Sequence, residues 1–226
     1  MKKALDIIKT RLYCRIKDLK WQNIFKPGFH TFYLAGSALN KDRPNDYDLF
    51  GINPEVLVTD GIQHSSKNAK TFNLDGVLVQ VCSYSKSNLT ELLKSFDFAH
   101  VQVGATVEVN IEPDKDTRVA IIDVQATEEY FTAQVTGQSW YVGSEYPLSS
   151  LLRVFKYKER GFLANHRSDV LKILTGIVTR GFSSYQDFKD QLDAIDLAYV
   201  AESKEAVALF RALNKSEEKA DPTYDP

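Results

Sequence analysis

The first third of the chain has the pattern of one amphipathic helix followed by short strands. Its apolar residues recur at the spacing of one helix face, with lysines and arginines between them. They are Leu5, Ile8, Leu12, Ile16 and Leu19. We therefore predict a helix over 5–19, strands over 31–35 and 46–50, and a polar loop over 40–45 between the two strands.

Downstream, the pattern predicts a strand region and then a helical end. Residues 61–70 are polar and predict a mobile loop. Residues 72–83 predict a hairpin that turns at Asp75-Gly76, because Asp-Gly is a favoured hairpin turn. Asn88 is placed to cap a helix over 89–96. The remaining predicted elements are two strands within 105–124 and helices over 149–160, 169–180, 185–194 and 202–213.

This order of elements predicts an α+β fold, because strands and helices do not alternate as they do in a doubly wound sheet. We expect an α+β core over 1–145, a helical domain over 146–215 and a flexible tail over 216–226.

Composition excludes several classes of protein. The 226 residues are 43% hydrophobic and 26% charged, which is ordinary for a globular chain and excludes disorder of the whole chain. No apolar run approaches the roughly 20 residues of a membrane span, and the charged N-terminus does not resemble a signal peptide. We expect a cytoplasmic protein without membrane contact.

The net charge of −2 disfavours a surface that is basic throughout, but it is compatible with a local basic cleft. The sequence leaves the oligomeric state undetermined.

The cysteines and histidines do not have the spacing of a zinc site. Cys14 and Cys82 lie in apolar stretches, and we expect both to be buried, reduced thiols. The four histidines are scattered along the chain without a paired motif.

The candidate chemistry lies in the two predicted strands at 31–35 and 46–50. Asp46 and Asp48 are two residues apart on one strand, so both carboxylates point to one face, about 6.6 Å apart along the backbone. Two such carboxylates repel each other unless a cation lies between them. Mg²⁺ typically takes one or two carboxylates and completes its shell with water and substrate phosphates. Mn²⁺ is the alternative metal.

Gly36 and Ser37, after the first of these strands, supply a candidate phosphate site. Glycine lets the backbone approach a phosphate closely, and the serine adds a hydroxyl. A triphosphate could be held at Ser37 while its metal is held by Asp46 and Asp48. The alternative interpretation is a polar, Asp-rich turn after a strand.

The pattern of an apolar strand, Gly36-Ser37, a spacer and Asp-x-Asp resembles the signature of the nucleotidyltransferase superfamily, which has a DNA polymerase beta-like fold. Residues 95–99 resemble the Arg-Arg-Asp-Phe-Thr motif of the tRNA nucleotidyltransferase and bacterial poly(A) polymerase group. Residues 147–162 resemble that group's Pro-Leu-Arg-Leu-Leu-Arg helix, which ends in Gly-Phe. The matches follow the order of the family and span 32–162.

The resemblance implies a mixed-sheet nucleotidyltransferase core followed by a helical C-terminal region. It implies catalytic and metal-binding roles for Asp46 and Asp48. It also implies nucleotide binding, and the residues concerned are Gly36, Ser37, Asp97, Arg153, Lys156 and Arg160. The last three share one face of a helix, where they could neutralise a triphosphate or a nucleic-acid backbone. A solvated amphipathic face is the alternative.

The chain departs from the family at several positions. Gln80 stands where a third carboxylate is expected, and an amide cannot act as a general base. Asp75, in the predicted turn, is a candidate substitute for it. Ser95 and Phe96 replace the arginine pair before Asp97. The spacer before Asp46 is slightly short, and the base-selecting motif has no clear counterpart. We also expect the segments that grip tRNA to be absent or shortened.

Two functions of different classes remain. The first is a metal-dependent nucleotidyltransferase that moves a nucleoside monophosphate from an NTP to a hydroxyl, with RNA or a tRNA 3′ end among the acceptors, and releases pyrophosphate. The second is a catalytically degenerate relative that binds a nucleotide, an RNA or a protein partner. Gln80 and the missing arginine pair favour the second.

Overall fold

The structure is a computed structural model that describes residues 1–40, 44, 46–66, 69–74, 76–84, 86–113, 115–163, 166–193, 207–208 and 211. The chain divides into two compact units, Met1–Gln138 and Ser139–Pro226. The fold is α+β, as predicted: the first unit contains a mixed sheet with helices, and the second contains helices.

A seven-stranded mixed sheet forms the first unit, in the order β3-β4-β5-β2-β1-β6-β7. Its strands are β1 Gly28–Ala35, β2 Asp46–Phe50, β3 Ile62–Ser65, β4 Ala69–Leu74, β5 Val77–Cys82, β6 Val103–Ile111 and β7 Arg118–Ala126. β2 and β5 run parallel, and every other neighbouring pair is antiparallel. The predicted strands at 31–35 and 46–50 therefore lie side by side, and the predicted hairpin is β4 and β5.

The two faces of the sheet are covered differently. The main core packs on one face against helix α1, Lys2–Ile16, whose Leu12 and Ile16 are fully buried. A smaller apolar cluster on the other face joins Ala35 and Phe50 to helix α2, Leu89–Lys94. The predicted cap of α2 is confirmed, because the Asn88 side chain accepts a hydrogen bond from the Glu91 backbone N–H at 2.9 Å.

In the second unit, the described helices are α4 Pro147–Glu159, α5 His166–Arg180 and α6 Tyr185–Asp193. They match the helices predicted over 149–160, 169–180 and 185–194. Phe182, Phe188 and Leu192 form a small buried cluster at α6. The helix predicted over 202–213 and the tail at 216–226 lie outside the described residues, apart from residues 207, 208 and 211.

The prediction of a loop over 61–70 was wrong, because this segment contributes β3 and the beginning of β4. β3 is an edge strand whose residues other than Ile62 are exposed, so it shows no alternation of buried and exposed positions. β3 is held by backbone hydrogen bonds to β4. Because these bonds do not depend on an apolar side-chain pattern, the sequence does not indicate them.

Helix α3, Glu128–Thr136, was not predicted, although its end signals are present. The Thr127 side chain caps its first turn, and Gly137 ends it in the left-handed conformation at φ +67°.

The predicted burial of Cys14 was also wrong: Cys14 is exposed and Cys82 is half-buried. Cys14 lies on the helix face opposite to the buried Leu12 and Ile16, so the apolar neighbours in sequence do not surround it.

No helix within the described ranges combines the length and apolar character that a membrane crossing requires.

Candidate functional site

Strand β2 places Asp46 and Asp48 on one face of the sheet, as the alternating pattern predicted. Tyr47 and Leu49 between and after them are buried in the main core, whereas both aspartates are half-buried on the opposite face. Burial of the alternate positions fixes the register, because a slip by one residue would turn both aspartates into the core.

Gly36 lies directly against Asp48. β1 pairs with β2 so that Ala35 stands opposite Asp48, and Gly36 follows at the end of β1. A Cβ built on Gly36 would lie 3.8 Å from Asp48 Oδ2. The Gly36 backbone has φ +93° and donates its N–H to the Val103 carbonyl at 3.0 Å. The structure thus brings together two candidate elements that lie twelve positions apart in the sequence.

The chain after Gly36 forms a short 3-10 helix, Ser37–Asn40, which begins at Ser37. Its turn is held by a hydrogen bond from the Leu39 N–H to the Gly36 carbonyl at 3.2 Å. Arg15 of α1 donates from Nη1 to the Ala38 carbonyl at 3.0 Å. These contacts fix the backbone on both sides of Ser37.

Gln80, at the position of the expected third carboxylate, pairs with Asp48 on the neighbouring parallel strand. Thr71 of β4 pairs with Gln80 on its other side. A row of polar side chains therefore crosses three strands beside Gly36, and Asp48 stands in it as the acidic member.

Cys82, two residues after Gln80, shares this face and was not predicted to be near the site. Its environment raises the pKa of the thiol, chiefly through burial and additionally through the charges of Asp48 and Asp46. The thiol is therefore protonated at neutral pH. The packing of Cys82 against the smaller apolar cluster marks one border of the acidic site.

Asp97 belongs to the same unit and is almost completely buried, with 3% of its surface exposed. It lies between α2 and the short 3-10 helix Ala99–Val101. Its neighbour Phe96 accepts a hydrogen bond from the Gln102 side chain at its carbonyl. Asp75 is outside the described residues.

The three predicted cationic residues belong to the second unit. Arg153 is half-buried on α4, and Lys156 is exposed, with its Nζ 5.9 Å from the centre of the Tyr157 ring. Arg160 is exposed and follows the last residue of α4 as its C-cap. Their contact with a nucleotide stays a prediction.

The side chains that could bind a metal at this site fit one ion better than two. Within the described part of the chain, no group of three or more His, Cys, Asp and Glu side chains could hold a metal. Two carboxylates on one face do suffice for a Mg²⁺ that completes its shell with substrate phosphates and water. Gln80 removes the carboxylate that a second ion would require nearby.

Sequence reasoning missed Arg15, Asn40 and Tyr130, which support the turn after Gly36. Arg15 and Tyr130 come from distant helices, 23 and 90 positions from their partners in the turn. No local pattern in the sequence marks such contacts.

No known family model matches the chain, and no curated protein matches it either.

Proposed function

We propose that the chain is a metal-dependent nucleotidyltransferase with a nucleotidyltransferase-like core in its first unit. One observation carries the proposal: Asp46 and Asp48 share a sheet face, and the backbone of Gly36 lies against Asp48. The acidic pair can hold a divalent cation, and a phosphate can approach the backbone of a glycine closely. Together they suit a nucleoside triphosphate that binds with its cation.

In this proposal, an acceptor hydroxyl attacks the α-phosphorus of an NTP. A bond forms between the hydroxyl oxygen and phosphorus, the bond from that phosphorus to the bridging oxygen breaks, and pyrophosphate leaves with the electron pair. The hydroxyl proton passes to solvent. Asp46 and Asp48 would hold Mg²⁺ or Mn²⁺, which supplies charge neutralisation for the triphosphate when bound.

The protein itself contributes positioning. Gly36 and the turn Ser37–Asn40 would hold the phosphates, and the segment that contains the buried Asp97 would line the nucleotide site. In the second unit, Arg153, Lys156 and Arg160 would neutralise the backbone charge of a nucleic-acid acceptor. RNA, including a tRNA 3′ end, is the proposed acceptor class. We place this activity in the cytoplasm, where nucleotides are abundant and both thiols stay reduced.

The pairing of Gln80 with Asp48 favours a second candidate function, a non-catalytic protein that binds a nucleotide, an RNA or a protein partner. An amide beside Asp48 cannot serve as a general base or replace a carboxylate as a metal ligand. Nucleotide binding through one metal ion would survive this substitution, whereas transfer would be lost.

Calorimetric titration with each of the four NTPs, with and without Mg²⁺, tests the proposal. We expect Mg²⁺-dependent binding by the wild type and its loss in D46N/D48N. The control is D123N, which removes a carboxylate from the exposed face of β7 in the same sheet. Pyrophosphate release with RNA present then separates the two functions: release supports the transferase, and binding without release supports the non-catalytic protein. No binding by the wild type contradicts the nucleotide site itself.

A further inference from the structure

A chain of hydrogen bonds, partly between side chains and partly through the backbone, joins the two candidate nucleotide-binding segments of the first unit. It begins at Asn40, the last residue of the turn after Gly36. Asn40 donates from Nδ2 to the His100 carbonyl at 2.6 Å and accepts at Oδ1 from the Tyr130 hydroxyl at 2.6 Å. Both polar atoms of this one side chain are therefore occupied by other parts of the unit.

Tyr130, on α3, is 3% exposed, so its hydroxyl is removed from bulk water. Burial raises the pKa of Tyr130 to about 12, and the hydroxyl keeps its proton for Asn40 at neutral pH. Thr127 fixes the beginning of the same helix. Its hydroxyl accepts from the Tyr130 N–H at 3.2 Å and donates to Gln102 Oε1 at 2.7 Å.

Gln102 carries the chain of bonds to the segment that contains Asp97. It is 3% exposed, and its Nε2 donates to the Phe96 carbonyl at 3.0 Å. Its own carbonyl accepts from the Thr127 N–H at 3.1 Å. The side chains of Asn40, Tyr130, Thr127 and Gln102, here called the Tyr130 network, thus connect the turn after Gly36 with the backbone beside Asp97.

We propose that Tyr130 and Gln102 are positioning residues, which hold the turn after Gly36 and the Asp97 segment in the arrangement that binds the nucleotide. The inference rests on the proposed function. Tyr130 and Gln102 are the buried members of the network, whereas Thr127 is half-buried and Asn40 is exposed. Buried polar groups whose hydrogen bonds are satisfied rigidify and specify one arrangement of the chain. The Tyr130 network therefore rigidifies the two segments that carry candidate nucleotide-binding residues.

The test is the variant Y130F, which removes the hydroxyl and keeps the ring. We expect the Kd for each Mg²⁺-bound NTP to rise about tenfold, because Asn40 keeps its bond to His100 but loses the one to Tyr130, which ties the turn to α3. We also expect faster hydrogen exchange at the amides of Gly36 and Leu39 in the nucleotide-free protein.

The matched control is V109A, a cavity variant near the other end of β6, where Val109 is fully buried and pairs with His30. It lowers the unfolding midpoint without touching the Tyr130 network, so a purely structural role for Tyr130 predicts similar behaviour for both variants. Positioning predicts that V109A keeps the wild-type Kd. The double variant Y130F/N40A should weaken binding no further than N40A alone, because N40A already removes the bond that Y130F breaks, together with the bond to His100.

The outcomes separate the inference from the proposed function. A higher Kd in Y130F alone, with faster exchange at Gly36 and Leu39, supports positioning. Equal Kd values for wild type and Y130F, or an equal loss in V109A, overturn positioning and leave the nucleotide site intact. Absence of NTP binding by the wild type overturns both.

Discussion

Gln80 is the direct neighbour of Asp48: the two residues are register partners on the adjacent parallel strands β5 and β2. Adjacent strands lie about 4.8 Å apart, so a charge at one position acts strongly on the other. Both side chains are half-buried on the face that also carries Asp46. The identity of residue 80 therefore decides how much positive charge this face can hold.

We predict that Q80E strengthens metal binding at the site. Without a cation, the added carboxylate repels Asp48, and the variant should be less stable than the wild type. With Mg²⁺ or Mn²⁺ the repulsion becomes attraction to the ion, so the thermal midpoint should rise more steeply with metal concentration than in the wild type. Thermal unfolding across a metal titration measures both effects.

The control for this change is Q63E, which makes the same substitution at an exposed position of the edge strand β3. It adds one negative charge to the sheet away from Asp48. The metal response should stay at the wild-type level in Q63E. An equal response in the two variants would show that net charge, and not the place beside Asp48, governs metal binding.

We predict that G36A impairs nucleotide binding beyond its effect on stability. Gly36 has φ +93°, and an alanine there costs about 1–2 kcal/mol of backbone strain. Relief of that strain moves the backbone that lies against Asp48. The expected result is weaker Mg²⁺-dependent NTP binding in a calorimetric titration, together with a lower urea midpoint.

Gly76 offers a closely matched control. It stands in the hairpin turn between β4 and β5 at φ +92°, and nothing lies within 4 Å of a Cβ built on it. G76A should therefore carry a similar strain cost without disturbing the acidic site. If G76A weakens NTP binding as much as G36A does, the close approach of Gly36 to Asp48 has no special role.

The sequence predicted those elements whose signals are local. The alternation at 46–50 placed Asp46 and Asp48 on one face, and Asn88 marked the beginning of α2. β3 was not predicted, because an exposed edge strand does not alternate apolar and polar residues. The side-by-side placement of Asp48 and Gln80 depends on long-range parallel pairing, which local patterns do not encode. The hydrogen bond between Asn40 and Tyr130 could not be predicted either, because the two residues are 90 positions apart in the sequence.

We predict that the second unit loses stability in acid through Asp187. Arg180 donates to both carboxylate oxygens of Asp187 at 2.9 and 3.0 Å, and this hydrogen bonding lowers the pKa of Asp187, with help from the Ser183 backbone N–H. A folded pKa below the unfolded value means that the stabilisation is complete above the unfolded pKa of about 3.9 and disappears as the pH falls through the folded value.

D187N should therefore cost about 1–2 kcal/mol at pH 7 and nothing once the wild-type carboxylate is protonated. Urea unfolding followed by circular dichroism, from pH 7 down to pH 2, measures the difference between the two proteins. E159Q removes an exposed carboxylate of the same unit and should keep the acid dependence of the wild type. Parallel curves for wild type and D187N at every pH would contradict this role of Asp187.

We predict that G104A destabilises the packing of α2 on the sheet. A Cβ on Gly104 would lie 2.9 Å from Leu89 Cδ1, 3.0 Å from the Ala35 Cβ and 3.1 Å from Leu93 Cδ2. The leucine ends can rotate, but the Ala35 Cβ is fixed to its strand. Overpacking of this kind costs about 1–3 kcal/mol, which a urea titration resolves.

The double variant A35G/G104A tests the cause of that loss. Ala35 and Gly104 are register partners on β1 and β6, so exchanging the two side chains removes the clash with Ala35 and conserves the volume beneath α2. We expect the double variant to regain most of the stability that G104A loses, although the new glycine at 35 retains a small entropic cost. If the double variant is as unstable as G104A, the contact between Gly104 and Ala35 does not limit this packing, and the two leucines of α2 do.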